Sequence, residues 1–141
     1  MTRGWLASGA FWLALFVFCG CAEDVDTPAA RIQLFTRCHV PSGSIQAEDR
    51  IEGSEHAETW ARVLLPRDKV DAYVQSCGYP GPLDESFHSD AFRATPQPWW
   101  WDAQSDVLSK GGTFTDGTFF SELLVVLRDT DVAVYVHTRS Q

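Results

Sequence analysis

The first 21 residues constrain this chain more than any other stretch. Arg3 precedes an apolar run, Trp5–Phe18, interrupted only by Ser8 and Gly9, and the run ends in Phe18-Cys19-Gly20-Cys21-Ala22. Fourteen helical residues at about 1.5 Å each reach about 21 Å, short of the roughly 30 Å hydrocarbon core of a bilayer. A positive start, a short apolar centre and small residues at the end describe an export signal. The folded body must then be built from the residues after Cys21, in a compartment where thiols oxidise.

The five residues Phe18 to Ala22 resemble the lipobox of bacterial lipoproteins, in which a small residue precedes an invariant lipidated cysteine. Gly20 and Cys21 hold those two positions here, and Phe18 stands where Leu is usual. The resemblance covers residues 1–21 and names a class of precursor, not a domain family. It implies cleavage before Cys21 and acyl chains on its sulfur and new amino terminus. Each buried CH₂ of those chains contributes about 0.8 kcal/mol, so several chains make a lasting membrane anchor. Ala22 in the following position implies the outer membrane rather than the inner. The alternatives are an uncleaved membrane anchor, and ordinary cleavage near Ala22 that yields a free secreted protein.

The expected organisation is a signal peptide over 1–20, a lipidated Cys21 with an acidic tether over 21–30, and one domain over 31–141. Cleavage removes Arg3, leaving ten Lys and Arg against 19 Asp and Glu. Such an acidic surface repels phosphate backbones, which argues against nucleic acid as a partner. Cys38 and Cys77 then remain besides Cys21. Ile32, Leu34 and Cys38 share one parity of an expected strand. Val70, Tyr73, Val74 and Cys77 share one face of an expected helix. Both cysteines fall on faces that should be buried, so a Cys38–Cys77 disulfide is expected. Without a CxxC, a redox motif or a zinc site is not.

The fold class is read as α+β, a small antiparallel sheet with one main helix packed on a face. Arg31–Val40 alternates as a strand, and residues 41–55 are polar and read as a loop. Glu58–Leu65 places Thr59, Ala61, Val63 and Leu65 on one face, and Trp60, Arg62 and Leu64 on the other. Pro66 opens the helix and Gly78 stops it. Residues 79–98 carry five prolines and glycines and read as a long irregular connection. Gly111, Gly112, Asp116 and Gly117 mark turns. Phe119–Leu127 and Val132–Thr138 form a hairpin around Arg128–Asp131.

Catalytic signatures are absent: no GxSxG, HExxH, SxxK or phosphate-cradling glycine loop occurs. His88 and Asp90 are half of a metal site at most, so neither a metal nor any other cofactor is expected. Asp129 to Asp131 lacks the spaced oxygens of a calcium loop and reads as a turn. His39 and His137 read as surface or satisfied sheet residues. The distinctive feature is Trp99-Trp100-Trp101-Asp102. In an extended chain Trp99 and Trp101 point one way and Trp100 the other, so the rings are either sandwiched between two layers or partly exposed. Exposed indoles suit sugar stacking or partner contact. Trp99, Trp100, Trp101, Arg93 and Asp102 are the candidate binding residues, with Tyr79 and Trp60 candidates for the same area. The function expected is a non-enzymatic, membrane-anchored envelope lipoprotein binding another envelope protein or polysaccharide. The alternatives are a small exported hydrolase using His88, Asp90, Asp102 or Glu122, and a purely structural envelope protein.

Overall fold

The computed structural model describes residues 26–88, 92, 98–101 and 109–140. Cys21, Asp90, Arg93 and Asp102 lie outside the described residues.

The chain enters the fold as a helix, not as the expected strand. Helix α1 spans Pro28–Thr36. Thr27 caps it, accepting from the Ala30 N–H at 3.2 Å, and Pro28 occupies the first turn, where its missing N–H costs nothing. The alternation of Ile32 and Leu34 suggests a strand, but the buried positions are Ile32 and Thr36, four apart, while Leu34 is 62% exposed. The last three residues of the expected tether, Pro28 to Ala30, are therefore helical. The helix ends on Arg37 at φ 63°, a left-handed conformation usually given to glycine. Its side chain is held by Asp116 at 2.7 Å and lies over the Phe119 ring at 4.4 Å.

The stretch expected as a loop contains strand β1, Gln46–Glu52. Its charge hid it: Glu48, Asp49, Arg50 and Glu52 sit in a strand at the edge of the sheet, where charge deters pairing with other chains. Arg31 of α1 grips Asp49 through two hydrogen bonds, at 2.8 and 2.9 Å, and Asp49 is almost fully buried. Strand β2, Glu58–Leu65, comes next, with the two faces expected of it. A 3-10 turn over Arg67–Lys69 leads into helix α2, Val70–Ser76. The expected single main helix is thus replaced by two short ones. The Val70, Tyr73 and Cys77 face is buried as expected.

Strands β3 (Ser109–Thr115), β4 (Phe119–Leu127) and β5 (Val132–Ser140) complete a five-stranded antiparallel sheet in the order β1-β2-β5-β4-β3. The β4–β5 hairpin closes at Arg128–Asp131, as expected, through the Arg128 N–H and the Asp131 carbonyl at 3.0 Å. Gly111 and Gly112 are not turn residues; both lie inside β3.

The sheet buries both faces. One face presents Ala61, Val63, Leu65, Leu123, Val125, Val132, Val134 and Val136 to the helices. Fully burying each of the valine and leucine side chains contributes about 1.5–3 kcal/mol. The Cys38–Cys77 disulfide, spanning 39 residues, ties the chain just beyond α1 to the end of α2 within this layer. The other face presents Trp60, Leu64, Leu124, Val126, Ala133 and Tyr135 to Phe92, Trp100 and Trp101.

The connection after α2 passes from one face to the other around the edge of β3. Tyr79 and Leu83 pack with the helix-side core, and Phe87 packs with the aromatic side. Between them Asp84 pairs with Gly111, N–H to carbonyl in both directions, at 2.7 and 2.9 Å. Gly111 is required there: a Cβ would collide with the Phe87 ring and come within 2.6 Å of the Leu123 carbonyl oxygen. Residues 79–88 form a strap that covers part of an exposed sheet edge.

Candidate functional site

The aromatic face is built in rows, because residues opposite one another on neighbouring antiparallel strands share a face. One row runs Glu48, Arg62, Tyr135, Leu124, Gly111 across β1, β2, β5, β4 and β3. The next runs Arg50, Trp60, His137, Glu122, Thr113, and the last Glu52, Glu58, Arg139, Phe120, Thr115. The rows pass from an aromatic cover at one side to charged groups at the other.

The cover rests on the first row. Trp101 meets Tyr135 edge-on at 5.0 Å, stacks on Phe92 at 5.2 Å and contacts Trp100 at 5.7 Å. Pairs in these geometries contribute about 0.5–1.5 kcal/mol beyond the area they bury. Arg62 lies 5.9 Å from the Trp100 ring and holds Glu48 on β1. The parity expected for the three tryptophans does not apply, because the segment turns instead of extending. The Trp101 N–H bonds the Pro98 carbonyl at 2.9 Å, which brings Trp100 and Trp101 inward together and turns Trp99 out. Trp99 is 89% exposed; Trp100 and Trp101 are buried. The Trp101 indole N–H is buried with no hydrogen-bond partner among the described residues.

In the second row His137 is bracketed by carboxylates. Its Nδ1 lies 3.1 Å from Glu122 Oε2 and its Nε2 lies 2.8 Å from Glu58 Oε1. The His137 side chain is 1% exposed, Glu122 8% and Glu58 31%. Trp60 covers the ring at 5.3 Å between centroids, and Arg50 lies over Trp60. Arg139 reaches Glu58 at 3.4 Å. Partial burial alone would raise the Glu58 carboxyl, but the hydrogen bond and charge of His137, with Arg139 beside it, hold it below the usual carboxylate value.

The structure therefore divides the expected binding residues. Trp60 belongs with Trp100 and Trp101, as anticipated, but Tyr79 does not. Its hydroxyl meets Ser121 at 3.2 Å on the helix side. His39, His56 and His88 are not buried with these groups. Glu122 meets a histidine, but it is His137 and not His88. Among the described residues no group of three or more His, Cys, Asp or Glu side chains converges to hold a metal ion, and no helix is long and apolar enough to cross a membrane.

Sequence reasoning missed the His137 cluster. Half of it had a local signal. The turn at Arg128–Asp131 sets Leu127 against Val132, and five steps along the hairpin that register puts Glu122 against His137. Glu58 had no such signal, because β2 and β5 pair across 79 residues of chain.

Comparison of the chain with protein-family models, curated proteins and solved structures returns no match.

Proposed function

We propose that the chain is a bacterial envelope lipoprotein, held in the membrane by acyl chains on Cys21, whose domain is a non-enzymatic binding module for another envelope protein or polysaccharide. The observation that carries the binding half is Trp99: a large indole at 89% exposure, fixed by two buried neighbours in a hydrogen-bonded turn. A rigid exposed aromatic loses little side-chain entropy on contact and offers a stacking face for a sugar ring or an anchor for a protein pocket. The anchored half rests on Arg3, the apolar run and Gly20-Cys21. It is supported by the Cys38–Cys77 disulfide, which suits an oxidising compartment. Ala22 favours the outer membrane.

The hydrolase reading has less support. His137 has both ring nitrogens engaged by carboxylates and is closed to solvent, so it has no free nitrogen for a substrate. A purely structural role sits poorly with a solvent-facing Trp99.

Two experiments test the two halves separately. Cells fed radiolabelled palmitate should label the wild-type chain and not Cys21→Ser; an unlabelled wild type overturns the anchor. Chemical cross-linking in cells, followed by mass spectrometry of what is attached to wild type and to Trp99→Ala, tests the binding half. A protein or glycan lost only in Trp99→Ala supports it, and identical adducts overturn it.

A further inference from the structure

The chain is fastened to the fold slightly ahead of α1. The Arg31 guanidinium donates to the Asp26 carbonyl at 2.5 Å, and the same side chain grips Asp49 of β1. The Arg31 N–H bonds the Thr27 carbonyl at 3.1 Å. Between Cys21 and Asp26 stand only residues 22–25. Whatever their arrangement, covalent geometry limits the five residue steps from Cys21 to Asp26 to about 17 Å, at roughly 3.3–3.6 Å each. A domain of about 100 residues has a radius of gyration of about 13 Å. The link is therefore shorter than the body is wide, and the entry to α1 must stay close to whatever holds Cys21.

That entry lies in the helix layer, where Arg31 meets Asp49 of the edge strand. Helix α1 turns Ile32 and Thr36 to the sheet and Leu34 outward, 62% exposed. Ala30, half-buried, stands one turn before Leu34 on the same side of the helix. The exposed Thr27 and Arg37 flank this apolar stripe at its two ends. The other exposed large apolar side chains among the described residues lie elsewhere. Ile45 and Leu127 stand at the strand ends beside the Arg128–Asp131 turn, whereas α1 reaches Thr138 and Asp116 toward the opposite strand ends. Trp99 adjoins the aromatic cover on the other face of the sheet.

A short link holds the helix near the surface at an effective concentration of the order of millimolar, so a single leucine needs little affinity of its own to make contact. Glu23, Asp24 and Asp26 give no attraction to anionic headgroups, so the contact is apolar. We propose that the outer stripe of α1, Ala30 and Leu34, lies against the lipid surface that holds Cys21, with the helix layer toward the membrane and Trp99 directed away from it. The inference rests on the anchored reading above and deepens it: the partner that meets Trp99 approaches from the side opposite the membrane.

The test uses the mature, acylated chain in vesicles of phosphatidylcholine with brominated acyl chains. Cys21 is acylated and Cys38 is bridged to Cys77, so an added cysteine is the one reactive thiol. Ala30→Cys and Trp99→Cys each carry an environment-sensitive fluorophore. An interfacial helix buries its apolar face about 5–10 Å deep, so the label at position 30 should be quenched about threefold or more beyond the label at position 99. Adding Leu34→Gln should remove about half of that quenching or more, and raising the salt concentration should not. Leu34 is exposed, so this change leaves the core intact. If Ala30→Cys does not fold, Gln33→Cys carries the label instead. The acyl mass of the chain is read first. A chain without acyl groups overturns the anchored reading and this inference with it. An acylated, vesicle-bound chain with equal quenching at the two positions, or with quenching indifferent to Leu34→Gln, overturns this inference alone.

Discussion

The two faces of the sheet are stabilised by different physics. The helix side is aliphatic and closed by a covalent bond; its polar groups include hydroxyls, Thr138 bonding the Phe35 carbonyl and Ser121 meeting Tyr79, and an ion pair between Arg31 of α1 and Asp49 of β1. The aromatic side carries Arg62 with Glu48, and His137 between Glu58 and Glu122, beneath a cover of indole and phenyl rings. A buried ion pair is a weak source of stability, because removing two charges from water costs about what their attraction returns. Valine and leucine would fill the same space without that cost. The greater number of charged groups on the aromatic face, next to the solvent-facing Trp99, directs attention there for function.

Removing the disulfide should do the most damage, and on the helix side. Cys38→Ser with Cys77→Ser opens a closure of 39 residues, and in the chain-entropy model this costs about 4 kcal/mol. Urea unfolding of the double variant against wild type measures it. His137→Ala should cost about 3 kcal/mol by the same measurement, because it empties a buried ring site and removes the contacts to both Glu122 and Glu58. The two losses should differ in kind. The His137→Ala deficit should shrink in acid, as protonation of Glu58, whose carboxyl His137 holds below the usual value, removes that contact in the wild type too, whereas the disulfide deficit should be independent of pH.

Gly111→Ala tests the strap that joins the faces. The added methyl has no room beneath Phe87, and overpacking of this kind costs about 1–3 kcal/mol. Thermal unfolding of the variant, with and without Phe87→Ala to make space, checks it: the second change should recover part of the loss. A smaller effect belongs to Glu58. Its carboxyl is held below the ordinary value of 4.5, so its contribution is complete above that value and is lost as pH falls through the depressed one. Glu58→Gln should therefore lower stability slightly near neutrality and flatten the acid limb, the difference from wild type vanishing in acid.

The helix side was the more legible of the two in the sequence. Alternation in Glu58–Leu65 identified both faces of β2, and the spacing of Val70, Tyr73 and Cys77 identified the inward face of α2; the disulfide expectation held, although its Cys38 half rested on a strand parity with Ile32 and Leu34 that the structure replaces with a helix. These are local patterns, set by periods of two and 3.6 residues. What escaped was decided elsewhere. Helix α1 lacks a glycine stop, since Arg37 takes the left-handed position with help from Asp116 and Phe119, 79 and 82 residues away. Its start was readable in Thr27-Pro28. Strand β1 is charged because it is an edge, and being an edge is a property of the whole sheet. The tryptophans were misjudged because one backbone hydrogen bond, from Trp101 to Pro98, converts an extended segment into a turn.

The smallest effect on stability should come from Trp99→Ala, within about 0.5 kcal/mol, because the side chain touches little. That makes it the most direct test of where function sits. Wild type and Trp99→Ala, matched for folding by their thermal transitions, are compared for in-cell cross-linking to envelope components. The expected result is equal stability with an adduct present in wild type and missing in the variant. Equal stability with unchanged adducts would contradict the assignment of the binding contact to the aromatic face.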